Sequence, residues 1–146
     1  DARHRGLEAS AAHRAGAWTV QGSATWLQAR LARSGLVPTN VPERSARLQL
    51  THDVAPLPGL QLQAGLVAEG PRAATPDNTL SIPGWSRIDL GARWRQTFQG
   101  ATLTWRAGVD NATDRRAWRE SPYQFGHAYL YPLAPRTLQA SVQCSL

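Results

Sequence analysis

The residues with the clearest binding chemistry lie in one segment near the C-terminus, between positions 115 and 131. Arginine and aromatic side chains crowd together there, and such side chains hold ligands by stacking and by charge-assisted hydrogen bonds. The members of this aromatic–arginine segment are Arg115, Arg116, Trp118, Arg119, Tyr123, Phe125, His127, Tyr129 and Tyr131. The same side chains could instead pack a loop onto the rim of the fold, so both roles stay open for each residue.

A second set of arginines occupies the polar positions of segments in which hydrophobic residues recur at every second place. These are Arg47, Arg87, Arg93, Arg95 and Arg106. A wall that carries them would attract and steer anions. The alternative is that they pair with carboxylates such as Asp89 and Asp110 and hold the wall together.

Enzyme and metal motifs are missing from the chain. There is no Gly-x-Ser-x-Gly elbow, no His-Glu-x-x-His and no phosphate-binding glycine loop. His52 and Asp53 are adjacent, and neighbouring residues of a strand point to opposite faces. The other histidines lack metal-ligand spacing, and the single Cys144 falls on an apolar face. We therefore expect neither an enzyme nor a protein-bound metal or cofactor.

Composition narrows the class of protein. The 146 residues suffice for one domain, and an apolar fraction of 42% indicates a folded chain. A net charge of +6 would suit a protein that binds nucleic acid. The arginines, however, are spread along the chain and no nucleic-acid recognition motif is present, which argues against that partner. No apolar run approaches the roughly 20 residues of a membrane helix. A membrane protein that crosses with strands stays possible.

The hydrophobic period is two almost everywhere, which predicts strands rather than helices. The predicted strands are 7–11, 18–26, 46–51, 60–66, 85–98, 102–110 and 137–146. Short connections (13–16, 54–59 and 99–100) alternate strictly with long ones (31–43, 71–84 and 113–135). This alternation is typical of an up-and-down membrane barrel, with short turns at one end and long loops at the other.

Aromatic residues on the apolar faces support the same interpretation. Near the strand ends they would form an interfacial girdle. These residues are Trp18, Trp26, Trp94, Phe98 and Trp105. A soluble sandwich or small barrel with tryptophan in its core is the alternative that the pattern leaves open.

Seven short motifs then follow one another along nearly the whole chain. They are Arg5-Gly6-Leu7-Glu8, Asn40-Val41-Pro42, Leu57-Pro58-Gly59-Leu60, Gly70-Pro71-Arg72, Ile82-Pro83-Gly84-Trp85, the Val109 to Trp118 segment, and Pro135-Arg136-Thr137. Their order and spacing resemble the C-terminal part of TonB-dependent outer-membrane receptors, in particular the ferric-siderophore branch. Two departures are Trp118, where the family has tyrosine, and Leu146, where the family usually ends in an aromatic residue.

The resemblance implies an all-β fold of about seven antiparallel up-and-down strands that form part of a 22-stranded transmembrane β-barrel. It implies that residues 1–146 are the C-terminal portion of that barrel, without the plug domain. The implied location is the outer membrane of a Gram-negative bacterium.

The function implied is that of a receptor and transporter for ferric siderophores, with iron entering as the chelate. The segment 115–131 would then meet a catecholate or hydroxamate ligand on an extracellular loop, and the five arginines would face the lumen. Implied partners are the siderophore, outer-membrane lipid, the TonB complex through the N-terminal plug, and the barrel-assembly machinery, with no nucleic acid. The alternative is a soluble, calycin-like module that binds a small ligand.

Overall fold

A computed structural model describes residues 1–146 and contains only β-strands as regular elements. In chain order the strands are β1 (Ala2–Ala15), β2 (Trp18–Leu31), β3 (Arg44–Asp53), β4 (Leu60–Glu69), β5 (Arg72–Ala73), β6 (Ser81–Ile82), β7 (Trp85–Phe98), β8 (Ala101–Asp110), β9 (Trp118–Glu120), β10 (Tyr123–Gln124), β11 (His127–Ala128), β12 (Tyr131–Pro132) and β13 (Thr137–Ser145). None of these elements is a helix long and apolar enough to cross a membrane.

Seven of the strands form one antiparallel sheet in the order β1-β2-β3-β4-β7-β8-β13. Each strand therefore pairs with the one before it in this series, as the alternation of short and long connections predicts. The prediction of seven up-and-down strands is confirmed. Strands β1 and β13 form the two edges of the sheet.

The first two strands are longer than the sequence predicts. The prediction gave 7–11 and 18–26, whereas β1 spans Ala2–Ala15 and β2 spans Trp18–Leu31. Polar residues such as Arg5 and Arg30 occupy the positions where the apolar alternation would have continued, so the hydrophobic period ends before the strand does. The turn between these strands is correspondingly short, with Gly16 in the left-handed region at φ 57°.

The six remaining strands are short pairs inside the long connections, which the sequence did not predict. They are β5 with β6, β9 with β12, and β10 with β11. Each strand of these pairs has only two or three residues. A two-residue strand is too short to show a hydrophobic period, so it leaves no signal in the sequence.

The sheet has two chemically different faces, because the strand pairing keeps one alternation from edge to edge. The outer face is the one that carries Leu48, Leu66 and Ile88, which are successive cross-strand neighbours. The inner face carries Arg47 and Arg87, which flank Val67 in the same way. The aromatic residues predicted for a girdle all lie on the outer face, where they are 37–64% exposed: Trp18, Trp26, Trp94, Phe98 and Trp105.

No second layer covers either face of the sheet. Only 10 of 146 residues are buried, and most of them lie in the long connections rather than in the middle of the sheet. A soluble sandwich or calycin-like module needs its apolar face packed inside. Since this apolar face is exposed along the whole sheet, the structure does not have the arrangement that the soluble alternative requires.

Candidate ligand-binding loops

The three long connections gather at one end of the sheet, and the tight turns lie at the other. We call residues 32–43 loop A, residues 70–84 loop B and residues 111–136 loop C. Loop B contains β5 and β6, and loop C contains β9 to β12. Most buried side chains of the chain belong to these loops, so they form the best-packed part of the molecule.

Asn40 of loop A joins all three loops. Its backbone adopts the left-handed conformation at φ 61°, and its amide donates to the carbonyl oxygen of Ala73 over 2.9 Å. Its side-chain Oδ1 accepts one bond from the amide of Ser121 at 2.8 Å and another from Nη1 of Arg72 at 3.4 Å. Arg72 is itself buried and forms an ion pair with Glu69. One asparagine therefore holds a charged group, a backbone amide and a backbone carbonyl at this junction.

Asn78 of loop B makes a second connection to loop A. Its Oδ1 accepts from the amide of Val37 at 2.8 Å, and its Nδ2 donates to the carbonyl of Val37 at 2.9 Å. The neighbouring Asp77 carboxylate accepts hydrogen bonds from the Thr75 hydroxyl and from the amide and hydroxyl of Thr79. These bonds favour the ionised form and lower the pKa of Asp77.

Asn111 closes the base of loop C. It has no exposed surface, and its Oδ1 accepts from the amide of Arg115 at 2.8 Å. Its Nδ2 donates to the carbonyl oxygens of Arg115 and Ala134, at 3.0 and 2.8 Å. Its own amide donates to Oδ1 of Asp89 on β7 over 2.8 Å. One side chain thus ties the first residues of the loop to its last residues and its backbone to the sheet.

Asp114 completes this closure, because its Oδ1 accepts from the amide of Arg136 at 3.0 Å. Asn40, Asn78, Asn111 and Asp114 all have positive φ, between 50° and 61°. Asparagine and aspartate tolerate this region better than other residues with a Cβ. In the sequence, Asn40, Asn111 and Asp114 stand out only as motif residues, and their role in closing the loops was not predicted. An Asn or Asp beside a strand end is the signal that could have indicated it.

The centre of loop C is a narrow hairpin that projects from this base. Strands β9 and β12 pair at its lower part, and β10 and β11 pair above them. At its tip Phe125 and Gly126 have φ values of 51° and 81°. A left-handed phenylalanine is strained by roughly 1–2 kcal/mol, and Phe125 is also 90% exposed. A large apolar side chain held this way in solvent is a candidate contact for a ligand.

The structure brings much of the predicted aromatic–arginine segment to the surface of this hairpin. Its exposed aromatic residues, 42–90% accessible, are Trp118, Phe125, Tyr129 and Tyr131. His127 is exposed on β11, whereas Tyr123 on β10 is half-buried. That these residues bind a ligand stays a prediction.

The three arginines of the segment have different surroundings. Arg115 forms no ion pair, and its backbone is held by Asn111. Nη2 of Arg116 lies 3.9 Å from Oδ2 of Asp114, and Nε of Arg119 lies 3.0 Å from Oε1 of Glu120. Both of these pairs are exposed, and such pairs contribute little to stability. All three guanidinium groups are therefore accessible to an acceptor.

The five arginines predicted for the lumen all lie on the inner face. This face forms a groove of about 960 Å³, lined by Arg47, Arg93 and Arg106 among others. Arg93 and Arg106 are direct cross-strand partners, and Arg95 is two positions beyond Arg93 on the same strand. Like charges placed directly opposite each other repel. The groove is therefore a surface that favours an anionic partner.

Carboxylates balance only part of this charge. Nε of Arg87 lies 3.2 Å from Oδ2 of Asp89, which is the pairing that the alternative interpretation predicts. Asp110 accepts instead from Gln139, and Arg106 donates to Gln143 at 3.3 Å. Four of the five arginines on the inner face form no salt bridge with a carboxylate: Arg47, Arg93, Arg95 and Arg106.

Comparison with known proteins identifies the family. Residues 1–112 match the family described as TonB dependent receptor-like, beta-barrel. The chain belongs to this family. Members of the family are outer-membrane proteins of Gram-negative bacteria, and this is where the chain is located.

Three relatives illustrate the similarity. The ferrichrome receptor FcuA of Yersinia enterocolitica is 35% identical over 126 residues, which cover 82% of this chain and 16% of the relative. The ferric preacinetobactin receptor BauA of Acinetobacter baumannii is 30% identical with a TM-score of 0.85, over 97% of this chain and 22% of that chain. The ferric yersiniabactin uptake receptor FyuA of Yersinia pestis shares the fold at 20% identity and a TM-score of 0.78. This match covers 97% of this chain and 23% of that chain. The chain thus spans less than a quarter of each relative.

Proposed function

We propose that this chain is the C-terminal barrel portion of a TonB-dependent receptor that takes up ferric siderophores, and that loops A, B and C contribute to binding the chelate outside the cell. The observation that carries the proposal is the loop C hairpin. It presents four exposed aromatic side chains and three accessible arginines from a base that Asn111 and Asp114 close. The relatives, named as receptors for ferrichrome and ferric preacinetobactin, support this class of ligand.

The side chains of the hairpin suit the chemistry of a ferric chelate. Catecholate and hydroxamate groups are planar and carry oxygens with partial or full negative charge, so they stack on aromatic rings and accept from guanidinium groups. Ordering a flexible loop on binding costs free energy, and this cost is smaller for a loop whose base is already closed before the ligand binds. The contacts of Asn40 and Asn111 therefore contribute to affinity without touching the ligand.

The inner face would form part of the wall along which the chelate passes. Arg93 and Arg106 repel each other across β7 and β8, and Arg47 has no carboxylate partner. An anionic chelate, or carboxylates of an N-terminal plug, would relieve that repulsion. Energy for passage would come from the inner membrane through TonB and the plug. In this proposal the protein binds and moves its ligand and performs no bond chemistry on it.

Two phenylalanines at opposite ends of the molecule provide a matched test. Phe125 is 90% exposed at the tip of loop C, and Phe98 is 64% exposed beside a tight turn. We would measure the dissociation constants of ferrichrome, ferric enterobactin and ferric citrate for the full-length receptor by quenching of tryptophan fluorescence. For the chelate that binds, Phe125→Ala is expected to weaken affinity by about tenfold, or about 1.4 kcal/mol. Phe125→Tyr should retain affinity.

Phe98→Ala is the control and should bind like the native receptor. If Phe98→Ala weakens binding as much as Phe125→Ala, the effect is a general loss of structure and the hairpin is not the contact. If the native receptor binds none of the three chelates, the proposed ligand class is wrong.

A further inference from the structure

A line of arginines runs down the inner face of β7. Arg87, Arg93 and Arg95 lie on this face at three depths, which together cover about 26 Å at roughly 3.3 Å per residue. Arg106 of β8 is the direct partner of Arg93 and adds a fourth charge beside the line. Three of these residues lie in the half of the sheet nearer the tight turns, and we call them the lower-wall arginines: Arg93, Arg95 and Arg106.

The lower-wall arginines find no charged acceptor within the sheet. Nε of Arg93 is shielded from solvent and has no hydrogen-bond partner, and Arg95 forms no salt bridge. Arg106 donates to the neutral side chain of Gln143 at 3.3 Å. Three positive charges therefore lie close together without a counter-charge, and they repel one another.

The carboxylates of the neighbouring inner face are already engaged. Asp53 lies in the same cross-strand row as one of the lower-wall arginines, but its two oxygens accept from Arg14 at 3.1 Å and from Gln61 at 2.7 Å. Asp89 is engaged by a neighbouring guanidinium and a loop amide, and Asp110 accepts from a glutamine. The acceptor that the lower-wall arginines lack therefore has to come from outside the sheet.

Bare backbone beside the lower-wall arginines leaves room for such an acceptor. Gly91 and Gly108 are direct partners in the next row toward the loops, and both line the groove of about 960 Å³, as does Gly65. A Cβ on Gly91 would meet no atom closer than 3.7 Å, and one on Gly65 would meet none closer than 3.8 Å. The packing of the wall itself therefore does not require glycine at these two positions. Glycine inside a strand often marks a place where a ligand approaches the backbone closely.

We propose that the lower-wall arginines form a transit site for an anionic ferric chelate, one that presents carboxylate or catecholate oxygens, on its way through the barrel. This inference rests on the proposed function and adds the charge of its substrate. Guanidinium groups bind such oxygens in pairs of hydrogen bonds. A neutral hydroxamate chelate lacks the charge that would offset the repulsion between the arginines. Charge therefore selects among chelates during passage, after the loops have captured them.

The same chemistry occurs at both ends of the path. Loop C presents three accessible guanidinium groups where the chelate would be captured, and the lower-wall arginines present three more toward the tight turns. One anionic ligand suits both places. Passage needs successive sites that hold the ligand weakly enough to release it, and arginines at separate depths provide them. A plug segment whose carboxylates pair permanently with these arginines is the competing occupant.

The experiment compares capture with passage in the full-length receptor. Capture is measured as the dissociation constants of ferric citrate, ferric enterobactin and ferrichrome, by quenching of tryptophan fluorescence. Passage is measured as the maximal rate of energy-dependent uptake of the same chelates, carrying radioactive iron, by iron-starved cells. The native receptor should take up at least one of the two anionic chelates, ferric citrate and ferric enterobactin.

The test variant is Arg93→Gln/Arg106→Gln. For the anionic chelate that is taken up, its maximal rate should fall about tenfold, because the wall no longer attracts the anion. Its dissociation constant should change less than about twofold, because the loops that capture the chelate are unaltered. The corresponding lysine variant keeps the charge and should retain part of the rate.

The control, Arg3→Gln/Arg5→Gln, removes two positive charges from the outer face and should transport like the native receptor. Equal loss of uptake in the control, unchanged uptake in the test variant, or a parallel loss of affinity overturns the inference. So does ion conductance of the test variant in planar bilayers where the native receptor is closed, because the arginines would then hold a plug segment in place.

Two outcomes separate this inference from the proposed function. Uptake of neutral ferrichrome alone would overturn the transit site and leave the proposed function intact. Uptake of none of the three chelates would overturn the proposed function, and the transit site with it.

Discussion

The amide of Ser121 donates to Oδ1 of Asn40 over 2.8 Å, although 81 positions separate the two residues in the chain. This bond joins loop C to loop A, and the contact of Asn40 with Ala73 adds loop B. The three loops therefore behave as one body at their base. A ligand that binds one loop meets a surface whose position the other two help to fix.

Replacement of Asn40 tests this coupling. Asn40→Ala removes the acceptor for Ser121 and places alanine at φ 61°, so the loops should separate at their base. In the full-length receptor we expect affinity for the bound chelate to fall about tenfold, or about 1.4 kcal/mol. Asn40→Asp keeps the acceptor and tolerates the same backbone, so it should bind like the native receptor. Equal affinity of the alanine variant would contradict the coupling.

Asn111 should control the order of loop C rather than its chemistry. Asn111→Ala leaves the amide of Arg115 and the carbonyl of Ala134 without their partner in a buried site. Each such buried group costs about 1–3 kcal/mol, so the base of the loop should open. Hydrogen exchange measured by mass spectrometry should become faster across residues 111–136 and stay unchanged in β3 and β4. Uniform acceleration in all strands would instead indicate loss of the whole fold.

Two turn glycines separate the effect of backbone conformation from that of close packing. Gly59 and Gly16 have φ values of 82° and 57°, but a Cβ on Gly59 would overlap the carbonyl of Arg95, whereas Gly16 has open space around it. Gly16→Ala should lower the free energy of unfolding by about 1–2 kcal/mol. Gly59→Ala should lower it by a further 1–3 kcal/mol or so because the turn must move. Urea unfolding of the full-length receptor measures both, and equal losses would show that the overlap is relieved without cost.

Acid should loosen loop B through Asp77. Hydrogen bonds from Thr75 and Thr79 lower the pKa of this carboxyl in the folded loop. Its contribution is therefore fully present above the ordinary aspartate pKa of about 3.9 and is lost as the pH falls through the lower, folded value. Hydrogen exchange of residues 75–80, corrected for intrinsic rates, should rise below that ordinary value. Asp77→Asn should remove the pH dependence, and an unchanged dependence in this variant would assign it to another group.

The sheet was predictable from the sequence because the strands alternate apolar and polar residues over long stretches. Leu48 and Leu66 on one face and Arg47 and Arg87 on the other follow directly from that period. The ends of β1 and β2 were not predictable in this way, since arginines replace the apolar residues there. The placement of the five arginines on the inner face also follows from the period. The pairing of Arg87 with Asp89, and the lack of a carboxylate partner at the other four, required coordinates.

For the end of the sheet that carries the long loops, the sequence predicted only which residue types are present. Asn40, Ser121 and Arg72 are far apart in the sequence, and neither the hydrophobic period nor the composition indicates that they are in contact. Asn111 and Asp114 have positive φ only in the folded base of loop C. Their side chains could therefore be recognised in the sequence as motif residues, but not as the groups that close the loop. The strained Phe125 at the hairpin tip likewise has no signal beyond the glycine that follows it.

Uptake of radioactive iron is the measurement that tests the receptor function most directly. Iron-starved cells that lack the receptor gene would carry the native gene or one in which residues 118–132, the whole hairpin of loop C, are replaced by a short glycine–serine linker. The native receptor should restore energy-dependent uptake of at least one of ferrichrome, ferric enterobactin and ferric citrate. The hairpin variant should reach the outer membrane in equal amount and fail to restore uptake. Equal uptake by both forms would contradict a role for loop C, and no uptake of any chelate by the native receptor would contradict the receptor function itself.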